Sequence, residues 1–220
     1  MGERHNARDW TCVTIVSPVY PNVSEEREMK RQLSGCHILH NMLIDEGRMA
    51  FIEGRHIPDY KEMCTMITSL RRDVPDLDGI NVYTLRDAAA RAEDSFEDCD
   101  RRNSLPRELI IPRFKALSRY RSIVFNPNTF GIEGARVNLS SKLNVRARNL
   151  HTPKGGEPVT VRLCLDGRGR WMLHVSYMVR RTMHNEEFLE NPLHPEAFDL
   201  GLTHEITDTE GNTITRPEYY

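Results

Sequence analysis

The sequence has no apolar run approaching the roughly 20 residues that span a bilayer, and its opening "MGERHNARDW" lacks the apolar centre of a signal peptide. Membrane insertion and secretion are therefore not expected. There is no CxxC pair, and the five cysteines are odd in number and scattered at 12, 36, 64, 99 and 164. That distribution argues against a Cys-based zinc site and against a disulfide framework, and it suits reduced thiols in a cytosol. Outside the secretory pathway the Asn-x-Ser triplets at Asn22 and Asn138 carry no meaning. No serine sits in a nucleophile elbow, so Ser34, Ser140 and Ser141 give no case for covalent catalysis. "GIEG" and "GRGR" do not stand between a strand and a helix, as a phosphate loop requires, and both read as turns.

Lysine is scarce as well: 5 lysines stand against 25 arginines. Arginine grips phosphate bidentately and stacks on bases, so the bias favours nucleic acid, although GC-rich coding or a salty habitat produces the same skew. The net charge of -2 conceals a segregation. Residues 101 to 181 hold 17 Lys and Arg against 4 Asp and Glu, whereas the remaining 139 residues hold 13 against 28. A segment of +13 beside one of -15 is a field that an anionic polymer would seek out; a merely solvated basic face is the plainer alternative.

Residues 10 to 20, "WTCVTIVSPVY", are β-branched and aromatic and close on proline, which predicts a strand. Ser24 is the expected cap of a following helix, with Met29, Leu33, Cys36, His40, Leu43 and Ile44 as its apolar stripe. Two further helices are predicted, one with Tyr60, Met63, Met66, Ile67 and Leu70 on a face and ending at Pro75, the other with Val82, Leu85, Ala89, Ala92 and Phe96. Beyond Pro106 the pattern turns to short strands. Val159, Val161, Leu163 and Leu165 alternate into Trp171, Leu173, Val175 and Tyr177 across "DGRGR", the clearest hairpin in the chain. A second hairpin, "AFDLGLTHEITDTEGNTIT", is expected to turn at Glu210-Gly211. His37 and His40, at i and i+3, have metal-ligand spacing but no third ligand nearby; one packed and one surface histidine is the expectation. Asp199, just before a glycine, has the position of a metal-binding carboxylate, and equally that of a surface strand aspartate.

Four stretches in order, "HILHNMLIDEG" with its central Asn41, "RELIIPRFKALSRYRSIVF", "VTVRLCLDGRGRWMLHVSYMV" and "FDLGLTHEITDTEGNTI", resemble the N-terminal half of TnpB. This is the transposon-encoded RNA-guided nuclease related to the type V CRISPR effectors. The resemblance spans nearly the whole chain. It implies an α+β protein: a small antiparallel wedge-type β-barrel interrupted by a helical recognition insert, then the first β-hairpin of an RNase H-like (RuvC) domain. The implied division is 1–23 for the first wedge strand, 24–104 for the recognition helices, 105–190 for the rest of the wedge and 191–220 for an incomplete RuvC segment.

On that mapping Asp199 matches the first catalytic aspartate, a ligand of Mg²⁺ for phosphodiester hydrolysis. The glutamate, the further aspartate and the zinc-binding cysteines of the family lie beyond this sequence, so the chain alone is not expected to cut DNA. What the resemblance leaves is binding of a guide RNA and a target DNA. The residues expected to do it are Arg113, Lys115, Arg119, Arg121, Arg146, Arg148, Arg168 and Arg170 on phosphates, with Tyr120 as a base-stacking platform. A prokaryotic cytoplasm is implied, with a second polypeptide or a homo-oligomer completing the nuclease. Two alternatives stay open: a nuclease-inactive RNA- or DNA-binding protein acting by occupancy, and an interaction protein whose acidic helices bind a protein partner.

Overall fold

The computed structural model describes residues 9–103 and 111–180, together with the strand pairs 206–207 and 213–214. Strand β1 (Trp10–Pro18) alternates as the sequence demands, with Val13, Ile15 and Ser17 turned inward and Cys12, Thr14 and Val16 outward. Helix α1 (Val23–Ile52) begins not at Ser24 but after Asn22, which forms a capping box: Asn22 Oδ1 accepts from Glu25 N at 2.9 Å, and Glu25 Oε2 accepts from Asn22 N at 2.8 Å. The exchange satisfies two donors that a helix start leaves orphaned, worth about 1 kcal/mol. Helix α2 (Tyr60–Asp73) opens on the same device, built from Asp59 and Glu62. At the far end of α1 the chain turns through Gly54 at φ +67, the left-handed conformation that a Cβ disfavours.

Helix α3 (Val82–Asn103) follows a short turn of 3₁₀ helix, Pro75–Leu77, that seats on α1. Then come β2 (Ser122–Phe125), β3 (Gly131–Glu133), β4 (Arg136–Ser140), β5 (Leu143–Arg146), β6 (Glu157–Leu165) and β7 (Trp171–Arg180). They form one antiparallel sheet in the order β1-β7-β6-β2 and another in the order β3-β4-β5. The β6–β7 hairpin has the alternating register read from the sequence: Val161 opposes Val175, Leu163 opposes Leu173 and Leu165 opposes Trp171. Val159 alone leaves this pattern, at a bulge between Pro158 and Thr160.

The expected barrel is not closed among the described residues. An isolated bridge between Val19 and Ala147 ties the end of β1 to the end of β5, and Arg148 N donates to Pro18 O at 3.0 Å. The helices do not form a core of their own either. Met29, Leu39 and Leu43 of α1 and Leu85 and Ala89 of α3 belong to the same continuous buried cluster as Val137, Leu143, Val161, Leu173 and Tyr177 of the sheets. Helices and sheets thus share one buried cluster, and residues 1–180 make one compact unit. The boundaries at 104 and 190 fall outside the described residues.

Residues 181–220 make the second unit, in which β8 (Ile206–Thr207) pairs antiparallel with β9 (Thr213–Ile214). Ile206 opposes Ile214 and Thr207 opposes Thr213, while the turn expected at Glu210-Gly211 lies outside the described residues. Among the described residues no helix is long and apolar enough to cross a membrane.

Candidate nucleic-acid interface

The stretch from Ile111 to Arg121, which carries half of the expected phosphate contacts, is a strap laid across the helices, extended as far as Ala116 and then coiled into a turn of 3₁₀ helix at Leu117–Arg119. Its hold on α1 is Asn41, whose Oδ1 accepts from Lys115 N at 2.9 Å and whose Nδ2 donates to Lys115 O at 3.0 Å, as a neighbouring strand would. His37 Nε2–H donates to the same carbonyl at 2.6 Å, and Arg48 Nη1 donates to Pro112 O at 2.7 Å. Arg91 of α3 fixes the far end by donating to Ser122 O at 3.1 Å while pairing with Asp87 at 2.7 Å. Asn41 thus acts as a clamp, satisfying both backbone groups of a residue that could find no partner within its own strap.

Tyr120 lies at the centre of this arrangement and is 1% exposed. Its ring centroid is 5.9 Å from that of His37 and 5.7 Å from that of His40, with the Arg91 guanidinium 5.1 Å and the Lys115 ammonium 5.9 Å from the ring. Enclosed in this way, Tyr120 is a packing residue and offers a base no platform. His40 is packed too, and burial, then the Lys115 charge, pushes its pKa down to about 4. His37 is engaged with the strap rather than standing on the surface, so the histidine pair makes no metal site.

The expected cations separate into three places. Arg113 is exposed on the strap, and Lys115 is half-buried, its pKa lowered by burial and then by Arg91. Arg119 and Arg121 are exposed beside the β6–β7 turn, where Leu165 N donates to Arg121 O at 2.8 Å. On that turn Arg168 is exposed, whereas Arg170 is held by Asp166, its Nε lying 2.8 Å from Asp166 Oδ2. Asp166 also accepts from the backbone N–H groups of Arg168 and Arg170, and the Arg170 backbone bond is the largest cause of its lowered pKa. Arg170 is in part committed to shaping its own turn.

The third place is the outer face of the β3-β4-β5 sheet, with Arg146 and Arg148 exposed. Here the structure adds Arg136, directly opposite Arg146 on the neighbouring strand. Like charges facing one another across a ladder cost stability. No ion pair involves Arg136, Arg146 or Arg148 among the described residues. The signal was present in the sequence as two arginines flanking "VNLSSKLNV", but only the strand register turns that spacing into a pair.

Asp199 lies outside the described residues. Within them, no group of three His, Cys, Asp or Glu side chains could hold a metal ion. Scanned against protein-family models and searched against curated proteins, the chain finds no match.

Proposed function

We propose that this chain is the nucleic-acid-binding part of a TnpB-like RNA-guided DNA nuclease, holding a guide RNA and its target DNA. The observation that carries the reading is the set of exposed arginines held in no ion pair, above all Arg136 facing Arg146 on one side and Glu133 on the other, with Arg148 beside them, so that arginines outnumber acids in the row. A fold gains nothing from such a pair by itself; a polyanion that neutralises both charges repays the cost and releases its own counterions. The extended strap adds Arg113 and the β6–β7 turn adds Arg119, Arg121 and Arg168, so the cations are spread over an area suited to a polymer rather than to a small anion.

The cleavage half of the proposal rests on the resemblance. Asp199 would supply one carboxylate to Mg²⁺, with further acids coming from outside residues 1–220, whether from a longer chain, a second polypeptide or a homo-oligomer. The 220 residues alone would then bind and not cut. Purification of the protein from its host, with sequencing of bound nucleic acid and identification of co-purifying chains, tests this. One abundant noncoding RNA is expected, and its absence at physiological salt would overturn the proposal. RNA accompanied by a polypeptide carrying the remaining acids marks a completed nuclease; RNA alone marks a protein acting by occupancy, as a repressor or adaptor.

A further inference from the structure

Tyr20 is the aromatic residue placed where Tyr120 was expected to act. It is 66% exposed, yet the backbone on either side of it is tied down. Val19 before it is buried, bridges to Ala147 and donates its N–H to Trp171 O at 2.9 Å; Pro21 after it restricts Tyr20 itself to extended geometry; and Asn22 then caps α1. An exposed ring on a fixed pedestal gives up little freedom when something stacks on it.

The register of the bridge also decides what lies around the ring. Because Val19 and Ala147 are paired and buried, the residues one position away face the opposite side: Tyr20 and Pro18 on one chain, Arg146 and Arg148 on the other. Arg136 continues the row across β4. A cleft of about 460 Å³ opens there, lined by Tyr20, Ala135, Arg146, Ala147, Arg148 and Asn149. On the other side Tyr20 walls a second cleft of about 450 Å³, together with Pro21, Arg170, Trp171 and Met172. Both volumes fall in the range of about 300–1,000 Å³ that takes small ligands.

The geometry points to Tyr20 as the stacking platform for an unpaired nucleotide of RNA, with Arg146 and Arg148 holding its phosphates. This rests on the nucleic-acid reading above and adds to it a position and a mode. Single-stranded RNA is recognised by splaying bases onto aromatic rings, and the Asn149 amide, which both donates and accepts, lines the same cleft as a partner for a 2′-hydroxyl. DNA lacks that hydroxyl.

Fluorescence anisotropy of the full chain with labelled single-stranded oligouridylate and oligothymidylate, over a range of salt, provides the test. Tyr20→Ala is expected to weaken oligouridylate binding roughly 10- to 100-fold without changing the salt slope, and Tyr20→Phe to retain it. Arg146→Gln with Arg148→Gln is expected to flatten the slope of log K against log salt by about 1.4. Both sites are exposed, so Tyr20→Ala should leave thermal melting unchanged, and the double arginine variant, freed of the charge facing Arg136, should melt no lower than wild type. Wild-type binding to oligouridylate with no loss in Tyr20→Ala overturns the platform while leaving the nucleic-acid reading intact. Equal affinity for oligothymidylate, lost equally in Tyr20→Ala, overturns the assignment to RNA. If wild-type protein binds neither, the broader reading fails with it.

Discussion

Two glycines of α1 set up a comparison in which the same substitution should have different outcomes. A Cβ built on Gly35 would sit 2.6 Å from the backbone oxygen of Asp76 and 2.5 Å from Ile80 Cδ1, whereas one on Gly47 would meet only the ring of Phe96, at 2.3 Å. Both lie inside a helix, where Gly→Ala by itself gains about 1 kcal/mol. At Gly35 the obstacle is the main chain of the Pro75–Leu77 turn, so α1 and that turn must separate, and the cost belongs at the upper end of overpacking, about 3 kcal/mol. The net loss is about 2 kcal/mol. At Gly47 the half-buried Phe96 ring can swing aside for about 1 kcal/mol, cancelling the helix gain. In a protein of this size about 2 kcal/mol lowers Tm by roughly 4–8 °C. Thermal melts and urea midpoints by circular dichroism should therefore separate Gly35→Ala, clearly destabilised, from Gly47→Ala, close to wild type. Gly35→Ala melting at or above wild type, or Gly47→Ala losing more than Gly35→Ala, would refute the reasoning.

Asn41→Asp keeps the acceptor for Lys115 N but turns a carboxylate oxygen toward Lys115 O; a loss of about 2 kcal/mol in urea unfolding at neutral pH is expected, and an unchanged midpoint would remove Asn41 from its role as the clamp. His40 takes up its proton at about pH 4 in the folded state and near 6.5 when exposed, so between these values the unfolded chain holds more protons. Stability should then be complete above pH 6.5 and fall by up to about 3 kcal/mol as pH drops toward 4, His174 acting in the same direction, and His40→Met should shrink the slope. Arg136→Thr removes a charge that faces Arg146 on one side and Glu133 on the other, so the two effects offset: a stability change below about 0.5 kcal/mol at low salt is expected, together with weaker RNA binding and a salt slope flatter by about 0.7. Stability and affinity falling together would show that Arg136 serves the fold.

Local patterning carried much of the architecture. The alternation from Val161 to Tyr177 defined a hairpin because one face of that sheet is buried, and the stripes on α1 and α3 were legible for the corresponding helical reason. The cap of α1 falls at Asn22 rather than Ser24 because the reciprocal bonds of Asn22 and Glu25, not the identity of one residue, decide it. Barrel closure is a matter of how far the sheets curl, which no periodicity records. The reversal of the two tyrosines has the same origin. Tyr120, between Arg119 and Arg121, has the neighbours of a base-stacking residue, and only the approach of His37, His40 and Arg91 from distant helices buries it. Tyr20 closes a run whose alternation already turns it outward with Thr14 and Val16, but only the bridge between Val19 and Ala147 brings Arg146 and Arg148 beside the ring.

Strand β1 has a consequence in time. Its partner is β7, and Thr14 and Ser176, which share a hydrogen bond across the two strands, are 162 positions apart. At synthesis rates of about 5–20 residues per second, β1 leaves the ribosome roughly 8 to 30 s before the strand it needs. During that interval Val13 and Ile15 have no sheet to cover them, while α1 and α3 can already meet. Until β7 emerges the chain therefore carries an unpaired, half-apolar edge, joined through Pro21 and Asn22 to the start of α1. Strand β1 is therefore made well before β7 and is secured only once that strand arrives.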